Sequence, residues 1–307
     1  MIATYQDTLI ALAGRHPELV VLTAENRAAI RDLPATLGPR FVDVGICEQT
    51  MIGAAAGLAL RGRVPVCHAL AAFLTLRAYE FIRTDVGIAG LPVKLIGGVP
   101  GFLSEANGPT HQAIEDIAVL RAVPGMKIFC PADRAELVAG LPAVVADPSP
   151  WYVRFCAAEP AAAHAGPFAP GVAEMHGDGT DVALLTYGFL LREVLVAAEA
   201  LRARGIAARV VHLPTPVPLD VGAVLATLRR ATLTVTVEDH LLRGGLFSIV
   251  AELMASEGVR ARLWPIALPT WFTPGRLADV LRVAGFTGAA LAERIAAELR
   301  RIREAPT

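Results

Sequence analysis

Four short segments of this 307-residue chain place ionisable, aromatic or hydrogen-bonding side chains directly after apolar runs of strand length. Open parallel sheets bind their ligands there, beyond the carboxyl ends of the strands. In Asp43-Val44-Gly45-Ile46-Cys47-Glu48-Gln49 a strand passes through a glycine into a carboxylate at a helix start. Glu48 is either an acid favoured by the helix dipole or a group that holds and delivers a proton in a pocket of low dielectric. Ala72-Phe73-Leu74-Thr75-Leu76-Arg77-Ala78-Tyr79 brings two aromatics that either fill a core or line a pocket. Asn107-Gly108-Pro109-Thr110-His111-Gln112 follows the glycine-rich Gly97-Gly98-Val99-Pro100-Gly101. His111 there either packs at a helix entrance or donates to a substrate oxygen and exchanges a proton near neutral pH. Arg154, in an otherwise apolar strand, is either one half of an internal salt bridge or an anion clamp.

The elements that carry these segments follow from hydrophobic periodicity. Strand candidates are Leu19–Thr23, Phe41–Val44, Val64–His68, Val93–Ile96, Lys127–Cys130 and Tyr152–Phe155. Between them, Tyr5/Leu9/Leu12, Leu76/Tyr79/Arg83 and Ile114/Ile117/Leu120 fall on helical faces. Strands alternating with crossover helices predict an α/β fold, doubly wound around a parallel sheet. Pro131-Ala132-Asp133, with Glu136 three residues on, predicts a capping box at a helix start. Periodicity lapses over Ala157–Asp181, and the alternation restarts with Val182–Tyr187, Ala208–His212, Leu233–Val237 and Ala261–Pro265 as strands between helices. Two doubly wound domains are therefore expected, residues 1–160 and 181–307, joined by a linker over 161–180.

Composition narrows the function. Apolar residues make up 54% and charged residues 19%, which excludes a disordered chain. Lysine and arginine number 28 against 29 acids, with no basic run interleaved with aromatics, so neither nucleic acid nor an anionic membrane is an expected partner. Apolar stretches such as Met51–Leu60 are broken by Arg61 and Arg63 short of a membrane span, and no signal-like segment is visible at the start. Four cysteines without CxxC spacing read as reduced thiols rather than a zinc site or a disulfide framework, and a cytoplasmic location is expected.

Taken together, Gly45-Ile46-Cys47-Glu48-Gln49, Phe73-Leu74 through Arg77-Ala78-Tyr79, Gly108-Pro109-Thr110-His111-Gln112 and Cys130-Pro131-Ala132-Asp133 resemble the pyrimidine-binding domain of transketolases and deoxyxylulose-phosphate synthases, in order and in spacing. Val237-Glu238-Asp239-His240 followed by Gly244-Gly245, and Trp271-Phe272-Thr273-Pro274-Gly275, are similar to that family's C-terminal domain. The resemblance implies that Glu48 hydrogen-bonds N1′ of the thiamine diphosphate pyrimidine and serves its tautomerisation. It implies that Phe73 stacks on that ring and that Tyr79 lines the same pocket, with Leu76 where the family often has another aromatic. It implies that His111 faces substrate oxygens, and that Arg154 matches a phosphate-binding arginine. An Arg154→Ala change is then expected to raise KM for a phosphorylated substrate.

A complete enzyme of this family also holds a divalent metal, Mg or Ca, through Gly-Asp-Gly followed some two dozen residues later by asparagine. Here Gly177-Asp178-Gly179 is present, but the chain's asparagines are Asn26 and Asn107, both upstream of it. No metal site is therefore expected in this chain, and that Gly-Asp-Gly reads as linker. The resemblance implies a split transketolase in which this chain pairs with an N-terminal-half subunit carrying the diphosphate-binding domain, as α2β2. Asn107 stands where the family usually has an aspartate that recognises a donor-sugar hydroxyl. Ala29 and Val99 replace two phosphate-contacting positions, which leaves the small sugar or keto substrate open. Two other readings compete: the β subunit of a 2-oxoacid dehydrogenase, disfavoured by the Gly-Pro-Thr-His-Gln loop, and a non-catalytic regulatory subunit, disfavoured by Glu48.

Overall fold

The computed structural model describes residues 3–164 and 166–304. Strands β1 (Leu19–Thr23), β2 (Phe41–Asp43), β3 (Val64–Leu70), β4 (Lys94–Gly98), β5 (Lys127–Phe129) and β6 (Trp151–Arg154) form a sheet in the order β2-β1-β3-β4-β6-β5, every pairing parallel. β1, β4 and β6 are buried along their whole length, as strands covered by helices on both faces are, although β4 starts with Lys94 and β6 ends with Arg154. The strand order reverses between β1 and β3, so the chain leaves the sheet in opposite senses there and opens a crevice at the carboxyl edge.

The second sheet contains β7 (Glu174–His176), β8 (Val182–Thr186), β9 (Ala208–His212), β10 (Leu233–Leu241) and β11 (Leu263–Leu268), in the order β11-β10-β8-β9-β7. All its pairings are parallel except β7 against β9. β7 lies inside the segment expected to be linker. Three residues of mixed polarity on a sheet edge carry no periodic signal, and the strand exists because β9 supplies its partners. Gly177-Asp178-Gly179 turns the chain from β7 into β8. The Asp178 and Gly179 carbonyls accept hydrogen bonds from Arg209, the latter at 2.6 Å, so the motif is a structural turn. One apolar cluster runs from Val20 and Leu95 of the first sheet through Cys130 and Tyr187 to Leu185 and Val211 of the second. The two sheets thus share buried surface.

β10 extends four residues past its expected end, through Glu238-Asp239-His240, with a register shift against β11 between Val237 and Leu241. These polar side chains are buried because each meets a specific partner. Glu238 accepts the backbone N–H groups of Leu246 (2.6 Å) and Phe247 (2.9 Å), which head the helix Leu246–Ser256, and burial pushes its carboxyl up to about 8. His240 Nε2 accepts Ala118 N at 3.2 Å. Gly245 must lack a side chain, since a Cβ there would lie 2.1 Å from Glu238 Oε2 and 2.8 Å from His240 Nδ1. Gly245→Ala is therefore expected to destabilise by about 1–3 kcal/mol, measurable by chemical denaturation, because the buried glutamate cannot retreat without losing the helix.

The expected capping box is half formed. Asp133 accepts Glu136 N at 3.0 Å, but the Glu136 carboxylate takes Ala132 N at 2.7 Å, one residue before the cap, together with His212 Nε2 at 2.9 Å. The helix expected around Leu76, Tyr79 and Arg83 is broken into π-helical turns at Phe73–Arg77 and Ile82–Gly87. Such turns recur where a helix must present side chains to a ligand.

Candidate active site

Glu48 heads the helix Glu48–Leu60, entered through Gly45, whose φ of 72° a larger residue would adopt only with strain. The side chain turns inward and is 2% exposed. Its Oε2 accepts a hydrogen bond from Arg77 Nη1 at 2.9 Å. The Arg77 guanidinium carbon lies 4.2 Å from the centroid of the Phe73 ring, and that ring also meets the His111 imidazole edge-on, centroids 4.9 Å apart. His111 Nδ1 shares a 2.9 Å hydrogen bond with Thr110 Oγ1. Three of the four segments singled out from sequence thus converge at the carboxyl ends of β2, β3 and β4. They form a continuous chain of contacts: a buried carboxylate, a planar cation, an aromatic face and an imidazole.

Backbone strain gathers at the same edge. Glu25 after β1 (φ 60°), Val99 after β4 (φ 50°) and Glu105 in the following loop (φ 41°) all occupy left-handed conformations. For a β-branched valine this is costly, and such outliers persist where a site must be held. No pattern in the sequence marked these positions as strained.

Leu76 is exposed, and Tyr79 packs half-buried against the first apolar cluster. Asn107 is exposed at the end of the 3₁₀ segment Gly101–Asn107. Among the described residues, no hydrogen bond, ion pair or ring contact ties these three to Glu48 or Phe73. Arg154 is 4% exposed, with Nε on Asp116 Oδ2 (2.9 Å) and Nη1 on Asp239 Oδ1 (2.6 Å). Burial alone would push its pKa down, but the two carboxylates overcome this and hold it well above its ordinary value. The internal salt bridge is the observed role. Gly101, at φ 54°, leaves room for it, since a Cβ there would strike Asp239 at 1.9 Å.

Gln112 had no role assigned from sequence. Its amide donates to Phe272 O at 2.8 Å and accepts Phe272 N at 3.2 Å, fastening the Gly-Pro-Thr-His-Gln loop to the Trp271-Phe272 loop of the second domain. His164 is a second omission, hidden in a tract of Ala, Pro and Gly. Its nitrogens meet Asp133 Oδ2 (2.9 Å) and Glu174 Oε2 (2.8 Å) beside a cavity of about 510 Å³, with Glu136 and His212 adjacent. Hydrogen bonds to Asp133 and then Glu174 raise its pKa to about 10. A raised histidine pKa stabilises fully below the unfolded value near 6.5 and loses that contribution as pH rises through about 10. His164→Ala is therefore expected to lower Tm by about 5 °C at pH 6 and by progressively less as pH rises from about 6.5 to about 10, as a pH series of thermal melts would register.

Comparison with known proteins places the chain in a family. The family model described as the transketolase pyrimidine binding domain matches residues 1–159, and that of the transketolase C-terminal domain matches residues 171–291. A 6-deoxy-6-sulfo-D-fructose transketolase subunit from Clostridium sp. (strain MSTE9) is 37% identical over 82% of this chain and 79% of its own length. An apulose-4-phosphate transketolase subunit from Phocaeicola vulgatus is 32% identical over 85% of each chain. A solved structure described as a split gene transketolase, inactive β4 tetramer, superposes with a TM-score of 0.87 at 31% identity, covering 96% of this chain and 97% of the other. The chain belongs to the transketolase family. Within it, the chain carries the pyrimidine-binding and C-terminal domains, the same span as the split transketolase subunits it resembles.

Proposed function

We propose that this subunit receives the aminopyrimidine end of thiamine diphosphate between Glu48 and Phe73, and that the assembled enzyme transfers a two-carbon ketol unit from a ketose donor to an aldehyde acceptor. The diphosphate end and its divalent metal, Mg or Ca, are held by an N-terminal-half chain carrying Gly-Asp-Gly and a downstream asparagine, in an α2β2 assembly in the cytoplasm. The observation that carries the reading is the pair formed by a buried Glu48 carboxylate and the Phe73 face. In this structure they already hold a flat, N–H-donating group, the Arg77 guanidinium. A site that accepts that group has the acceptor and the stacking surface that an aminopyrimidine needs.

The thiamine ring system supplies, when bound, the nucleophilic carbon that makes and breaks carbon–carbon bonds. The chain's own part is protonic and positional. Glu48 Oε2, shielded from water, holds and returns a proton at the pyrimidine nitrogen, which free water would otherwise exchange. Phe73 fixes the ring plane. His111, edge-on to Phe73 and joined through Nδ1 to Thr110, donates to a substrate oxygen as negative charge develops there. Asn107 is the donor-side contact of this reading, and Tyr79 and Leu76 form its apolar wall. The engagement of Arg154 by two carboxylates favours donor recognition through hydroxyls over recognition through phosphate within this chain.

Reconstitution tests the proposal. Each subunit alone is expected to show no ketol transfer and no metal-dependent binding of thiamine diphosphate by calorimetry, whereas mixing restores both. Tight binding and turnover by this chain alone would refute the divided site.

A further inference from the structure

Arg77 lies where the coenzyme ring is proposed to lie. Its guanidinium is planar, rich in N–H donors and cationic, and it takes from the protein the contacts an aminopyrimidine would take: Glu48 Oε2 at 2.9 Å and the Phe73 face at 4.2 Å. The two groups cannot share that space. We propose that Arg77 is an internal placeholder, which neutralises Glu48 and covers Phe73 while the site is empty and must swing out for the ring to bind. The inference rests on the proposed role of Glu48 and adds a competitor for it.

Its physical logic is the cost of a buried carboxylate without a partner. Glu48 is 2% exposed, and an uncompensated charge there would destabilise the subunit before assembly. The arginine can nevertheless leave, because 39% of its side chain is exposed, and an ion pair that reaches solvent is weak. Arg154 makes the contrast: it is 4% exposed and clamped by two carboxylates, and it has no route to water. Arg77 ends the π-helical turn Phe73–Arg77, ahead of the α-helical turn Tyr79–Phe81, so its side chain can move without the backbone turns on either side being rebuilt. Lysine would not serve equally, since a tetrahedral ammonium lacks the flat face that lies over Phe73.

The test uses the coenzyme's isolated ring, 4-amino-5-hydroxymethyl-2-methylpyrimidine, and the full-length chain, with Kd read by ligand-observed NMR titration. R77A is expected to bind this fragment about ten-fold more tightly than the wild type, which corresponds to about 1.4 kcal/mol. R77K, which retains charge without the flat face, should fall between the two and stands in for R77A should that variant not fold. Adding E48Q to R77A should remove the gain. Equal or weaker binding by R77A and R77K, or no binding by any variant, overturns the placeholder. A gain in R77A that E48Q leaves intact supports Arg77 as the obstruction and overturns Glu48 as the acceptor of the ring, so the two assignments fail separately.

Discussion

Glu48→Gln in the reconstituted enzyme is expected to lower kcat for ketol transfer by about 10²–10⁴-fold, the range assigned to a positioned proton-transfer group. Glutamine keeps the shape, and its amide oxygen still accepts a hydrogen bond from Arg77, so the half-exposed arginine is not left unpartnered. What it loses is the capacity to hold a proton. Thermal stability should therefore change little while turnover collapses, and the separation of the two readouts is the diagnostic. Activity equal to that of the wild type would reject the proton-handling role, and parallel losses of Tm and activity would assign Glu48 to structure alone.

The second large effect is on stability. Arg154→Ala leaves Asp116 and Asp239 facing each other with no counter-charge, both almost fully buried. Breaking a buried pair by removing one partner costs about 3–5 kcal/mol. Here one arginine serves two carboxylates from different domains. A fall in Tm of about 10 °C is expected, with the transition losing cooperativity as the sheets uncouple. Tyr152 loses support as well, because its hydroxyl donates to the same Asp116 oxygen at 2.6 Å. An Arg154→Ala protein of unchanged stability but raised KM for a phosphorylated substrate would restore the anion clamp.

The difference between these residues shows what the sequence could express. Glu48, Phe73 and His111 follow strands whose apolar runs are visible without any structure, and the rule that sites lie beyond carboxyl ends draws attention to all three, which the fold brings together. β1, β8 and β9 could be read because each is buried along its whole length. Arg154 could not be resolved because its partners lie 38 and 85 residues away, and a lone cation in an apolar strand looks the same whether it meets a carboxylate or a ligand. The same limit hid the continuation of β10 through Glu238, Asp239 and His240, where charge argues against burial until the partners are known. β7 was too short to announce itself, and His164 draws its meaning from Asp133 and Glu174 across the fold. Arg77 stood in plain view between Phe73 and Tyr79, one helical turn beyond the ring it covers. That spacing was the available signal that the two side chains meet.

The most direct measurement of the central claim is a crystal structure of the two subunits together with thiamine diphosphate and its metal. The account predicts the pyrimidine N1′ at about 2.6–3.2 Å from a Glu48 oxygen, with the ring over Phe73 and Arg77 displaced toward solvent. A ring bound elsewhere, with Glu48 still paired to Arg77, would contradict it.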